Sequence, residues 1–446
     1  MLTDQQGNSL SGASAQALDL YGQALESFNL YSGDPFAPLE RAIQAAPQFV
    51  MAHILKAYLY ATATEPAASL QAQRVVVHAR SLPLDERAES HISVLTELMA
   101  GNWTRAATML DYHNATYPRD LLGIQCGHLM DFYRAGTRNL RDRIARILPH
   151  WSAEVPGYSI LLGMYAFGLE ECGDYRRAEE YGHSAIELQP FDCWAHHAVA
   201  HVLEMQGRAE EGIDWMAERE PFWAGDDNFF RVHNWWHKAL YHLDLDQVDQ
   251  ALAIYDGPIR GLRSDMALDL VDASALLWRL ALAGRDLSER WTELAQAWEK
   301  HADGRHYPFN DWHGVMALLG AGRDADVERI ANSIRAASSN DTEVARWAWH
   351  TGLPLIEGFT AFWRGDYHKA VEQLYGARAI ANSFGGSHAQ RDIIDWTLTE
   401  AALRAGRREL AEAFANERLA LKPHSEVNRR FLYRATTRSG DQPASP

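Results

Sequence analysis

The chain has 446 residues, a formal net charge of −17, 47% hydrophobic residues and 23% charged residues. That is a globular composition, and the length calls for two domains or a repeat array rather than one compact domain. The acidic balance argues against nucleic acid, which needs a basic stripe, and against an anionic lipid surface.

The three cysteines, Cys126, Cys172 and Cys193, make neither a disulfide framework nor a zinc-knuckle spacing. The first residues, Met1 to Asn8, lack the basic and apolar regions of a signal peptide. No apolar run approaches the ~18 residues that span a bilayer. The expectation is a reduced cytoplasmic protein with no membrane segment.

In chain order, residues 1–14 are polar and expected to be loose. Helix signals then run from about Ala15 to Ala435, with strand signals scarce. Leu39-Glu-Arg-Ala-Ile-Gln-Ala-Ala-Pro47 looks like the tail of a first repeat. Gly101-Asn-Trp-Thr-Arg-Ala106, Gly173-Asp-Tyr-Arg-Arg-Ala178, Gly365-Asp-Tyr-His-Lys-Ala370 and Gly406-Arg-Arg-Glu-Leu-Ala411 share one grammar. Weaker copies start at Gly207 and Asp246, and the period slips between Ser264 and Asn340. Glycine permits the tight turn, alanine lets paired helices approach, and proline stops the second helix. The pattern resembles the tetratricopeptide repeat. It predicts an all-α solenoid of helix pairs over 15–438, wrapping a concave cavity, with a loose tail at 439–446.

Polar residues interrupt this pattern at five places. In Trp194-Ala-His-His-Ala-Val-Ala-His-Val-Leu-Glu204, a helix puts Trp194, His197, His201 and Glu204 on one stripe, with Arg208 following. Repeat phasing turns that stripe inward. His197 and His201 have the i, i+4 spacing that reaches one metal ion, with Glu204 as a third ligand or a general base. A hydrogen-bonded strut between helices explains the same stripe without function. His233 and His237 repeat the spacing with Trp235 and Trp236 beside them, and those tryptophans fit a core better than a pocket wall. Asp269 and Asp272 sit in an apolar helix, which demands a partner for each carboxylate. Near Tyr307-Pro-Phe-Asn-Asp-Trp-His313, Asn310 or Asp311 can cap a helix, leaving His313 unexplained. In Gly385-Gly-Ser-His-Ala-Gln-Arg-Asp392, Ser387 and Gln390 form a capping-box pattern; Arg391 and Asp392 stay unaccounted for.

Six stretches resemble the tetratricopeptide repeat protein 38 family, in the same order. They begin at His197, His233, Leu268, Phe309, Gly352 and Gly386. The resemblance implies a cytosolic α-solenoid and carries no mechanism with it.

Three functions fit these residues. The first is a small-molecule site in the concave cavity, with hydrolysis or proton transfer as the chemistry if the protein is an enzyme. His197, His201, Glu204, His233, His237, Asp311 and His313 would then be catalytic, and Trp194, Asp272, Arg391 and Asp392 would hold substrate. The pattern requires no cofactor, and it admits a divalent metal ion on His197, His201 and Glu204. The second is a scaffold that binds a peptide or protein without catalysis. The third is a set of buried struts holding irregular repeats in register.

Overall fold

The computed structural model describes residues 2–437, which leaves the expected tail at 439–446 outside the described residues. These residues fold as an all-α tetratricopeptide-type solenoid. One short hairpin, Leu2–Thr3 paired with Ser9–Leu10, precedes the helices. The N-terminal residues are therefore not loose. Gln6 donates to the Pro156 carbonyl and Asn8 to the Arg119 carbonyl, which pins the hairpin across the first repeats.

The repeat grammar becomes backbone geometry at the turns. Gly101, Gly173, Gly207, Gly365 and Gly406 all take left-handed φ between 69° and 81°, where glycine escapes the Cβ clash. Asp246 takes the same place in a weak copy at φ 60°. Helix pairs also continue through residues 264–340, where the sequence period slips: Ala267–Leu282 with Ser288–Trp298, and Pro308–Gly320 with Asp324–Ala336. π-helical turns flank that stretch: one at Tyr255–Ile259 contains Pro258, and another lies at Ala348–Gly352.

The first helix of each central pair is buried nearly all round. In Leu121–Tyr133, Tyr158–Glu171 and Cys193–Met205 almost every residue is buried, whereas Tyr175–Leu188 and Ala209–Trp223 bury only one face. The reason is closure. Glu65 accepts from the Ala267 backbone, Asn310 donates to the Thr64 carbonyl, and Thr104 donates to Glu343. The late helix His388–Arg404 packs back onto Ala267–Leu282 and Cys193–Met205. The concave groove expected from the repeats is therefore filled by the inner helices themselves. Among the described residues, no helix is long and apolar enough to cross a membrane.

Candidate functional site

Two neighbouring inner helices, Cys193–Met205 and Arg231–Asp244, each present a histidine pair at i, i+4. The pairs face each other. Ring centroids lie 4.4 Å apart for His197–His201, 4.9 Å for His233–His237, 4.8 Å for His197–His233 and 4.4 Å for His201–His237. His197 Nε2 and His233 Nε2 are 3.0 Å apart. One ring nitrogen from each of the four lies within 4.8 Å of all the others, and all four residues are buried.

Carboxylates stand behind the rings. His233 Nδ1 donates to Asp272 Oδ2 at 2.7 Å, and His237 Nδ1 donates to Glu204 Oε2 at 2.8 Å. His201 Nδ1 lies 3.5 Å from Glu170 Oε2 without hydrogen-bond geometry. Asp272 also accepts from Gln390 Nε2 at 3.5 Å, so the capping-box glutamine has a second duty. Lys422 Nζ lies 3.4 Å from Glu204 and 3.3 Å from Asp244. Phe167, Phe230 and Trp194 pack on His197, and Trp236 stacks on His233 at 5.3 Å. These aromatics keep the centre apolar around its polar heart.

Burial, then the neighbouring imidazoles, hold His197, His201 and His237 well below the ordinary histidine pKa. All three are neutral at pH 7. With Nδ1 protonated toward Glu204, the His237 Nε2 lone pair is left without a partner. Both nitrogens of His201, Nδ1 of His197 and both oxygens of Glu170 are also unpartnered and buried. Burial, followed by the charges of Glu171 and Glu204, raises the Glu170 carboxyl well above its usual range.

A second histidine cluster is different in kind. Asp120 Oδ2 accepts from Arg87 at 2.5 Å, His91 at 2.9 Å and His113 at 3.0 Å. The far nitrogens of those histidines reach Tyr58 and Ser90, and Asp120 Oδ1 takes the Gly123 amide. Burial alone would raise Asp120; Arg87 and the two imidazoles hold it well below the carboxylate range. Every atom here is satisfied, so this cluster is a strut between repeats.

The structure brings His197, His201, Glu204, His233, His237 and Asp272 together. It does not bring in Asp311 or His313. Asp311 Oδ1 accepts from the Gly304 amide at 2.8 Å and fastens the loop before its helix. His313 Nδ1 donates to the Phe309 carbonyl, and its ring packs on Phe309 and Trp312. Two residues apart on a helix, these side chains leave on nearly opposite sides. Glu204 stands behind His237 and beside Lys422, so the side chains clustered with His197 and His201 are a third and a fourth histidine, His233 and His237. Arg208 lies beyond the end of the helix and pairs with Glu179 and Glu211. Asp392 is engaged by Arg418 at 2.7 Å. Trp194 stacks on Tyr31 at 5.5 Å as part of the core. Arg391 Nη1 donates to the Gly386 carbonyl, and Nη2 lies 3.8 Å from Glu171.

A cleft of about 420 Å³ opens beside the centre, with Glu204, His388, Arg391, Arg418 and Lys422 in its lining. Glu204 is thus both a wall of the cleft and the partner of His237. Sequence reasoning missed Glu170, Lys422 and the Asp120 cluster. For Glu170 the signal was a carboxylate pair, Glu170-Glu171, closing an otherwise apolar inner helix.

No protein-family model matches the chain. Among solved structures, it is similar to a chain of the APC/C hetero-tetramer Cut9-Hcn1, at 14% identity and a TM-score of 0.43, covering 94% of this chain and 76% of that one. It is also similar to the human IFIT1 dimer with PPP-AAAA, at 13% identity and a TM-score of 0.40, covering 96% and 95%. An IFIT1 monomeric mutant with Gppp-AAAA gives 13% identity and a TM-score of 0.36, covering 95% of each chain. At such values, function has to be argued from this chain's own residues.

Proposed function

We propose that the protein is a tetratricopeptide-type solenoid whose closed interior holds a small ligand at the histidine–carboxylate centre, as a binding protein rather than a hydrolase. One observation carries this reading. Buried polar atoms are normally hydrogen-bonded, yet the unpartnered atoms of His197, His201, His237 and Glu170 gather at this one place. A guest that completes them accounts for the cluster, whereas a strut would look like the saturated Asp120 network. The neighbouring cleft approaches the centre as far as Glu204. Holding is favoured over turnover because all four histidines are at most 2% exposed and the flanking cations are already committed to carboxylates. Four of the stretches that resemble the tetratricopeptide repeat protein 38 family supply residues to this centre, so the resemblance and the site belong together.

The test is native purification of the full chain, acid release, and measurement of what is freed by mass spectrometry and elemental analysis. A guest near one per chain supports the reading; a chain that releases nothing overturns it.

A second reading, a scaffold for a peptide or protein partner, is favoured by one surface feature. Phe191 and Phe222 meet edge-on at 5.4 Å while 53% and 37% exposed, and Leu188 beside them is 52% exposed. Apolar groups clustered on a surface mark contact sites. Cross-linking in cell extract should give partner links near residues 188–222 that vanish in Phe191→Ser/Phe222→Ser; links that persist would contradict it.

A further inference from the structure

We infer that the guest is a divalent transition-metal ion ligated by the side chains of His197, His201, His233 and His237. This rests on the reading of the centre as a ligand site and names the ligand. Three places in the fold gather potential metal ligands: these four histidines, the His91–His113–Asp120 cluster, and Glu170 and Glu171 with His201. The second is ruled out by its chemistry, since Arg87 already supplies its cation and each ring nitrogen has a partner. The third has an imidazole in common with the first and adds a carboxylate pair behind it.

The donor set suits an intermediate dication. Neutral imidazoles select zinc, copper, iron, cobalt or nickel over magnesium or calcium, which prefer oxygen. The spacing admits a tetrahedral shell. Metal–nitrogen bonds of about 2.05 Å imply nitrogens about 3.3 Å apart; His197 and His233 already stand at 3.0 Å, and the remaining donors lie within 4.8 Å of each other. Small ring rotations close the set. Two histidines at i, i+4 on one helix face can reach a single ion, and helical bundles build metal centres from inward side chains of facing helices.

Carboxylates stand behind these rings in the arrangement that a metal ligand needs. Metal-bound histidines almost always donate their other ring N–H to a carboxylate or carbonyl, which fixes the tautomer and orients the lone pair. His233 does this with Asp272 and His237 with Glu204, and Glu170 stands 3.5 Å behind His201. Asp272 and Glu204 also place negative charge next to a bound dication in a dry setting. Four imidazoles fill a tetrahedral shell, so the ion clamps two consecutive repeats together.

The test uses Co²⁺, whose tetrahedral complexes absorb strongly in the visible. The full chain, stripped with a chelator, is titrated with Co²⁺ and back-competed with Zn²⁺. One equivalent should bind with a tetrahedral spectrum. His237→Ala should abolish it, and Glu204→Gln should weaken binding roughly 10- to 100-fold while the helical circular dichroism stays unchanged. That conservative variant keeps the test valid if the alanine variant misfolds. His113→Ala should leave the spectrum intact. No uptake, an octahedral spectrum, or equal loss in His113→Ala overturns the inference. An organic guest freed from the native protein, with no Co²⁺ uptake, would overturn the metal and leave the ligand site standing; no native guest together with no Co²⁺ uptake overturns both.

Discussion

His233 Nδ1 lies 2.7 Å from Asp272 Oδ2, and both side chains are buried in adjacent inner helices. The two residues are 39 positions apart, so consecutive repeats supply the ring and its acceptor. This pair fixes which His233 nitrogen faces His197. Asp272→Asn keeps the size of the side chain but removes its charge. The expected outcome is a loss of metal affinity of about 10- to 100-fold, read by competition with a chromophoric chelator. Unchanged affinity would mean that Asp272 only packs.

Asp311 gives a pH dependence with a definite sign. Burial, opposed in part by the Gly304 amide, pushes its pKa up to about 8 from an ordinary 3.8. Between those values the folded chain keeps a proton that the unfolded chain loses. Stability from this group is therefore fully present below pH 3.8, falls as pH rises, and is gone above about pH 8. Asp311→Asn should remove that slope. Urea unfolding should show the variant more stable than the parent at pH 9, by on the order of 2 kcal/mol, with the advantage lost at pH 5. A constant difference across pH would contradict the assignment.

Asp120 carries the opposite prediction to the metal centre. Its carboxylate is the partner of Arg87, His91 and His113 at once. Asp120→Ala removes the nearest counter-charge of the buried Arg87 guanidinium and leaves it only Asp4 at 3.5 Å, which destabilises by about 3–5 kcal/mol. Chemical denaturation should show this loss, while Co²⁺ binding per folded chain stays unchanged.

Gly168 tests the close approach of successive pairs. A Cβ there would sit 2.5 Å from the Arg141 backbone nitrogen and 2.6 Å from the Leu140 carbonyl carbon. Backbone cannot swing aside as a side chain can. Gly168→Ala should destabilise by about 1–3 kcal/mol, seen as a lower midpoint in urea.

The solenoid was legible because glycine turns recur with a period, and Gly101, Gly173 and Gly365 took up the expected left-handed φ. The histidine quartet was legible in halves. The i, i+4 spacing showed that His197 pairs with His201 and His233 with His237, while the distance between the pairs depends on how neighbouring repeats stack. Closure was not legible. It depends on single contacts such as Asn310 to Thr64, 246 residues apart, and it turned the expected groove into a packed interior. Asp311 and His313 were misplaced because each is engaged locally, Asp311 with the Gly304 amide and His313 with the Phe309 carbonyl. The Asp120 cluster went unnoticed because His91, His113 and Asp120 come from three separate segments with no shared spacing.

The central claim is four imidazoles around one ion, and X-ray absorption at the edge of the metal that co-purifies with the full chain tests it most directly. The prediction is a shell of four nitrogens at about 2.0–2.1 Å with the multiple scattering of imidazole rings, lost in His201→Ala/His237→Ala. A shell of oxygen or sulfur, or a nitrogen shell that survives that double substitution, would contradict it.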